Sequence, residues 1–214
     1  YRARAAGGVG AIITGGTPGH PSGAMRNRGH YEPYIEDALP HLARLADTVH
    51  AEGAAIFGQL WHRGREITGD TDLPGWAPSA VPSPNDPQIP HAMSLAEVED
   101  VVAAFGRSAA NLRGAGFDGI EIHGAHGYLV AQFLSAGANR RTDRYGGAPE
   151  NRMRFLLDLV DSIRAGIGPD AVLGVRMSAD EGPDVPDGIR LPYSEAIARA
   201  LAATGKVDYL SVTI

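Results

Sequence analysis

The sequence predicts an α/β fold on a parallel sheet, and three observations carry that expectation. Short apolar runs rich in β-formers recur along the chain, helical stripes separate them, and the runs do not alternate between apolar and polar residues. Continuous apolar runs are what strands covered on both faces require. The order β-α-β-α-β-α-β-α-β is that of parallel strands joined by right-handed crossovers.

The strands are expected at residues 9–14, 54–60, 119–123, 172–177 and 208–213. Leu42, Leu45, Ala46 and Val49 form the first helical stripe, with Pro40 tolerable only in a first turn. Val98, Val101, Val102, Phe105, Ala109 and Leu112 form the second. Ser94 and Glu97 stand before it at capping-box spacing, and Gly114 or Gly116 can end it. The third stripe is Met153, Leu156, Leu157, Val160 and Ile163, closed by Gly166 or Gly168. Ala196, Ile197, Ala200 and Leu201 form the fourth, closed by Gly205. Residues 63–93 are Pro-rich and lack a helical period. A loop of that length more often serves a site or a partner than nothing.

Composition narrows the function classes. Charged residues make up 21% of the 214, and 25 acids against 19 bases leave a net charge of −6, which offers no support for nucleic-acid or anionic-membrane binding. With no Cys there are no disulfides, thiolate zinc sites, iron–sulfur ligands or Cys nucleophile, which suits a reducing compartment, and a cytoplasmic location is expected. No apolar run approaches the ~18 residues of a membrane helix. The chain opens on Tyr1 rather than Met, with apolar sequence close to both ends, so a piece of a longer protein is expected.

Strand starts recur about every 50 residues, so eight such units need ~400, within the range of an elaborated (β/α)8 barrel. A doubly wound five-stranded sheet is the alternative, although no Gly-rich dinucleotide fingerprint follows any of the runs.

Polar residues gather where the strands end. Gln59 closes the second run, His123 the third and Arg176 the fourth, on the edge where parallel α/β folds build sites. The stretch from Glu121 to Leu129 adds His126 and Tyr128 across Gly-containing turns. Its histidines could hold a metal, but zinc needs a third ligand and no carboxylate joins them, so no metal is expected. They could be satisfied structural residues. They could also be two donors converging on one substrate oxygen, with a phenol nearby as proton donor.

Five motifs in order are similar to those of the old yellow enzyme family: FGQLWHRGR at 57–65, EIHGAHGYL at 121–129, QFLS at 132–135, NRRTDRYGG at 139–147 and ENRMRF at 150–155. The segments GGTP at 15–18 and VRMS at 175–178 extend the match along nearly the whole chain. The resemblance implies an FMN-dependent ene-reductase or NAD(P)H:flavin oxidoreductase on a (β/α)8 TIM barrel, of which residues 1–214 hold strands two to six and lack the first and the last two. The pattern Gln-Leu-x-His-x-Gly-Arg resembles most the branch with dienoyl-CoA reductases and bacterial ene-reductases. By this resemblance Gly16, Gln59 and Arg176 contact the flavin, His123 and His126 hold the substrate oxygen, and Tyr128 protonates its α-carbon. Some members carry Asn at the second His position, and His126 keeps the donor while adding a pH-sensitive group. The implied partners are FMN, NAD(P)H and a small unsaturated carbonyl compound, with no nucleic acid or membrane, and a homo-oligomer is allowed. The resemblance locates the family's phosphate grip in barrel loops beyond this sequence. An amine dehydrogenase or demethylase of the same superfamily is the rival enzyme, and a non-catalytic fragment the rival outside enzymes.

Other residues carry plainer expectations. The arginines and aspartate of 139–147 should pair among themselves and pin a long loop. His20, His30, His41, His50 and His91 should be surface or loop residues. Trp61 and Trp76 should pack or wall a pocket, and His62 and Arg65 could reach it.

Overall fold

Parallel pairing dominates the computed structural model, which describes residues 1–24, 31–66 and 73–214. In chain order the elements are α1 (Arg2–Ala6), β1 (Ala11–Ile13), β2 (Thr17–Pro18), α2 (Leu39–His50), β3 (Ala55–Trp61), β4 (Trp76–Ala77), β5 (His91–Ala92) and α3 (Leu95–Gly114). There follow β6 (Gly119–Gly124), α4 (Leu129–Leu134), α5 (Pro149–Ile167), β7 (Val172–Ser178), α6 (Leu191–Ala203) and β8 (Tyr209–Thr213). The main sheet runs β1-β3-β6-β7-β8, all parallel, and β2 also pairs with β3.

Strand order separates the two expected architectures. A doubly wound sheet reverses direction at a switch point, whereas here each main strand lies beside the next in chain order. Right-handed crossovers in one direction stack the helices on one face. Ile56 and Leu60 of β3 are buried toward them, and Leu112 of α3 packs over Gly58. Side by side, α3 and α5 are tied by Ser162 Oγ donating to the Val102 carbonyl at 2.9 Å. The result is a singly wound, open half-barrel.

The expected strands and four helices are present, with ends shifted by one or two residues. The prediction that every strand is covered on both faces is corrected. Of the five predicted strands only β6, at the centre, is buried throughout, while Ala55, Phe57 and Gln59 of β3 are half-buried on the concave face. An open half-barrel covers its concave side incompletely, and the edge strand β8 buries none of its residues fully. The capping box at Ser94 and Glu97 forms as expected. Unforeseen are α1 and α4, each too short for a periodic signal, the two-residue β2, and the β4–β5 pair inside the Pro-rich segment.

The segment 139–147 is pinned more widely than expected. Arg141 donates to Asp143 at 2.6 Å and also to the carbonyls of Pro78 and Met93, so it holds the Pro-rich loop. Arg144 leaves the segment for Glu99 on α3, and Arg140 reaches Asp187. Among the described residues, no helix is long and apolar enough to cross a membrane.

Candidate functional site

Sheet register stacks the concave side chains in layers. Phe57, Gly119 and Val172 form the lowest row. In the next, Gln59 pairs with Glu121, Glu121 with Gly174 and Gly174 with Tyr209. Gly174 is required there, because any Cβ would run into the Tyr209 ring. Across that gap the phenol donates to Glu121 Oε2 at 2.9 Å, and Gln59 Nε2 donates to Glu121 Oε1 at 2.6 Å. The layer above pairs His123 with Arg176 and Arg176 with Ser211, whose Oγ accepts from Arg176 Nη1 at 3.0 Å.

Loops complete this upper layer. After β6 the chain turns through His126 at φ 59°, a left-handed conformation uncommon for a residue with a side chain. Such strain is held where surrounding contacts over-determine it, and the His126 N–H faces Ser178 Oγ at 3.4 Å. The turn brings His126 Nδ1 to 3.2 Å from His123 Nε2, with the rings at 88°. Tyr128 stands at the start of α4, edge-on to Trp61 (centroids 4.6 Å apart) and to His123 (5.1 Å). Buried Gln132 on α4 donates to the carbonyls of Arg63 and Gly127 and accepts from Arg65 N–H, which locks the loop after β3 to the loop after β6.

A cavity of about 170 Å³ is lined by Gly16, Gln59, Trp61, His123 and Tyr128, four of the six residues expected at the site. Gly16 sits where β1 breaks before β2, and a Cβ there would crowd Trp61 Cγ at 3.2 Å. His126 borders a second cavity of about 500 Å³, shared with Arg65, Glu66, Ser178, Asp180 and Glu181. Arg176, half-buried, joins the cluster through its row-mate His123.

Electrostatics keep both imidazoles neutral near pH 7. Burial, then His126 and Arg176, push His123 down to about 4. Burial and Arg176 push His126 below its ordinary value as well. The Ala125 N–H faces His123 Nδ1 at 3.4 Å, which leaves the ring proton on Nε2, toward His126. Among the described residues no group of three or more His, Cys, Asp or Glu side chains could hold a metal ion.

Several plainer expectations change. His20 is a loop residue, as expected, but a buried one, at 7% exposure. Its Nδ1 lies 2.7 Å from Ser22 Oγ and its Nε2 3.1 Å from Asp100, because the chain after β2 runs beneath α3. His62 joins this network at 2.8 Å from Ser22 Oγ instead of lining the small cavity. His41, His50 and His91 are exposed, as expected, and His30 lies outside the described residues. Trp61 walls the cavity, while Trp76 packs on His20 and His91. Arg65 reaches the larger cavity. Sequence reasoning missed Glu121 and Ser178. Glu121 was legible as a carboxylate two residues before His123, on the same face of its strand.

A singly wound α/β half-barrel with polar side chains converging on its carboxyl edge defines an α/β-barrel protein with a small-molecule site. The chain belongs to the NADH:flavin oxidoreductase / NADH oxidase family, whose model matches residues 1–203. It is 41% identical over 211 residues to an NADH oxidase from Thermoanaerobacter brockii, covering 96% of this chain and 32% of the relative. Over 213 residues it is 38% identical to an NADPH dehydrogenase from Geobacillus sp. (strain WCH70), covering all of this chain and 60% of that one. The old yellow enzyme homologue from Zymomonas mobilis superposes with a TM-score of 0.86 at 26% identity, covering 99% of this chain and 62% of that one. The chain thus spans about a third to three-fifths of the length of these relatives, and its sheet is a segment of the (β/α)8 barrel of the old yellow enzymes.

Proposed function

We propose that the whole protein is an FMN-dependent oxidoreductase that uses NAD(P)H to reduce activated C=C bonds of α,β-unsaturated carbonyl compounds. In this reading residues 1–214 form part of its FMN-binding barrel domain, with a long Pro-rich loop at about 63–93. The family and the nicotinamide-named relatives support the cofactors. The observation that carries the substrate class is the His123–His126 pair, whose facing nitrogens are 3.2 Å apart at the mouth of the cavity. At that distance His123 Nε2–H donates to His126 Nδ1, and a carbonyl oxygen entering between the rings would take over that proton, with His126 as the second donor in its Nδ1–H tautomer.

The residues present fit an isoalloxazine. Gln59 would offer an amide, Arg176 in the neighbouring row a cation, and Gly16 a stretch of backbone without a Cβ. When bound, FMN would supply the hydride that the β-carbon of the acceptor receives. The protein's part is to make that carbon electrophilic. His123 donates from Nε2, and His126 joins it once its proton sits on Nδ1, so that charge drawn onto the oxygen is stabilised as an enolate. Burial keeps the His123 ring neutral, which avoids a charged imidazolium there. Tyr128, its ring clamped between Trp61 and His123, then delivers a proton to the α-carbon.

Tyr128→Phe in the whole protein tests the assignment by stopped flow. Flavin reduction by NAD(P)H should stay near wild type, and reoxidation by an enone should slow by ~10²–10⁴. Reoxidation by a quinone, which needs no carbon protonation, should be unchanged. An enone rate equal to wild type would remove Tyr128 from the mechanism.

A further inference from the structure

Glu121 is a carboxylate 1% exposed in the concave layer directly beneath the site. Both of its oxygens are engaged. Oε1 accepts from Gln59 Nε2 at 2.6 Å and Oε2 from the Tyr209 hydroxyl at 2.9 Å. In the structure the Gln59 amide turns its NH2 toward this carboxylate. The amide carbonyl is on the other side of the same planar group, and Gln59 lines the cavity with Gly16, Trp61, His123 and Tyr128.

We infer that Glu121 is a positioning residue that fixes Gln59 as a hydrogen-bond acceptor, and so selects a bound ring that presents an N–H. The inference rests on the flavin reading above. An oxidised isoalloxazine carries one ring N–H, at N3, and a carbonyl held toward it recognises that group. An unanchored glutamine amide could rotate by half a turn and present a donor against the same N–H. Burial, reinforced by the charge of Glu121, raises the pKa of Tyr209, so the phenol keeps its proton and anchors the carboxylate from the far side. Gly174 makes that anchor available by letting the ring cross the strand.

The test measures equilibrium binding of FMN and of 3-methyl-FMN, which lacks the N–H, to the whole apoprotein. Wild type should prefer FMN. In Glu121→Gln, whose amide can accept or donate, FMN binding should weaken by about tenfold, the order of one net hydrogen bond. The preference over the methyl analogue should shrink with it. Tyr209→Phe removes the anchor but keeps the carboxylate, and should retain the preference. An equal loss there would assign the effect to packing and overturn the inference, as would a folded Glu121→Gln with wild-type preference. Wild-type apoprotein that fails to bind FMN would overturn the flavin reading itself. If Glu121→Gln does not fold, the wild-type chain still decides: NMR should find the Gln59 side-chain NH2 shifted and slow to exchange, and a freely exchanging amide at random-coil shifts would refute the contact.

Discussion

Acid should unfold this protein earlier than its carboxylates require, because the fold buries neutral histidines. His62 is pushed down to about 3 by burial, with His20 and Arg63 adding to the shift, and His123 to about 4. In the unfolded chain both titrate near 6.5. Between those limits the unfolded state binds protons that the folded state refuses, so stability is complete above pH 6.5 and drains as pH falls toward 4 and then 3. Each pH unit is worth about 1.4 kcal/mol per histidine. With His62 held down to about 3 and His123 to about 4, the two together amount to several kcal/mol. Together these rival the 5–15 kcal/mol that typical proteins possess. Urea unfolding from pH 8 to pH 5 measures it. The unfolding free energy should fall by about 2–3 kcal/mol per unit below pH 6. His62→Gln should remove about half of that slope, at the cost of a lower midpoint at pH 8, where the contact to Ser22 is weakened. A midpoint independent of pH over this range, or the full slope persisting in His62→Gln, would refute the burial argument.

Two further outcomes are expected. Arg176→Leu in the whole protein should weaken FMN binding by roughly tenfold to a hundredfold, since a charge-assisted contact is worth about 1.5–3 kcal/mol, and titration of the apoprotein with FMN checks it. The 214-residue chain should self-associate through β1 and β8, each paired on one side only among the described residues, and Val212→Lys on the exposed face of β8 should shift its sedimentation toward monomer.

Periodicity made most of the fold legible. The stripe around Phe105 and the capping box at Ser94 give α3 unambiguously, because a long helix repeats its signal several times. A six-residue helix such as α4 has no such repeat and is buried throughout, so its residues read as another apolar run. Burial of His20 was invisible for a related reason: its partner Asp100 lies 80 residues away on another element. The candidate site was read because strand-end positions are local in sequence. What stayed hidden was the support beneath them. The Glu121–Tyr209 contact depends on a register and on a missing Cβ at Gly174, neither of which a single strand reveals.

The layering explains why chemistry and support divide as they do. Along a strand, side chains two apart share a face but sit about 6.6 Å apart, so consecutive concave residues occupy successive storeys. Gln59 and Glu121 occupy one storey with Tyr209, and His123 and Arg176 the next. The lower storey is sealed enough to hold a carboxylate at 1% exposure with both oxygens satisfied, and there a fixed hydrogen bond orients a side chain firmly. The upper storey opens to two cavities, where a ligand can enter, and its donors are neutral imidazoles that need no counter-charge. Reversing the two would strand an unpaired carboxylate among groups meant to gather negative charge. Gln59 alone belongs to both storeys. Its amide nitrogen is held within the lower storey by Glu121 and its residue lines the cavity above, so the orientation set in the dry layer is passed to whatever binds in the open one.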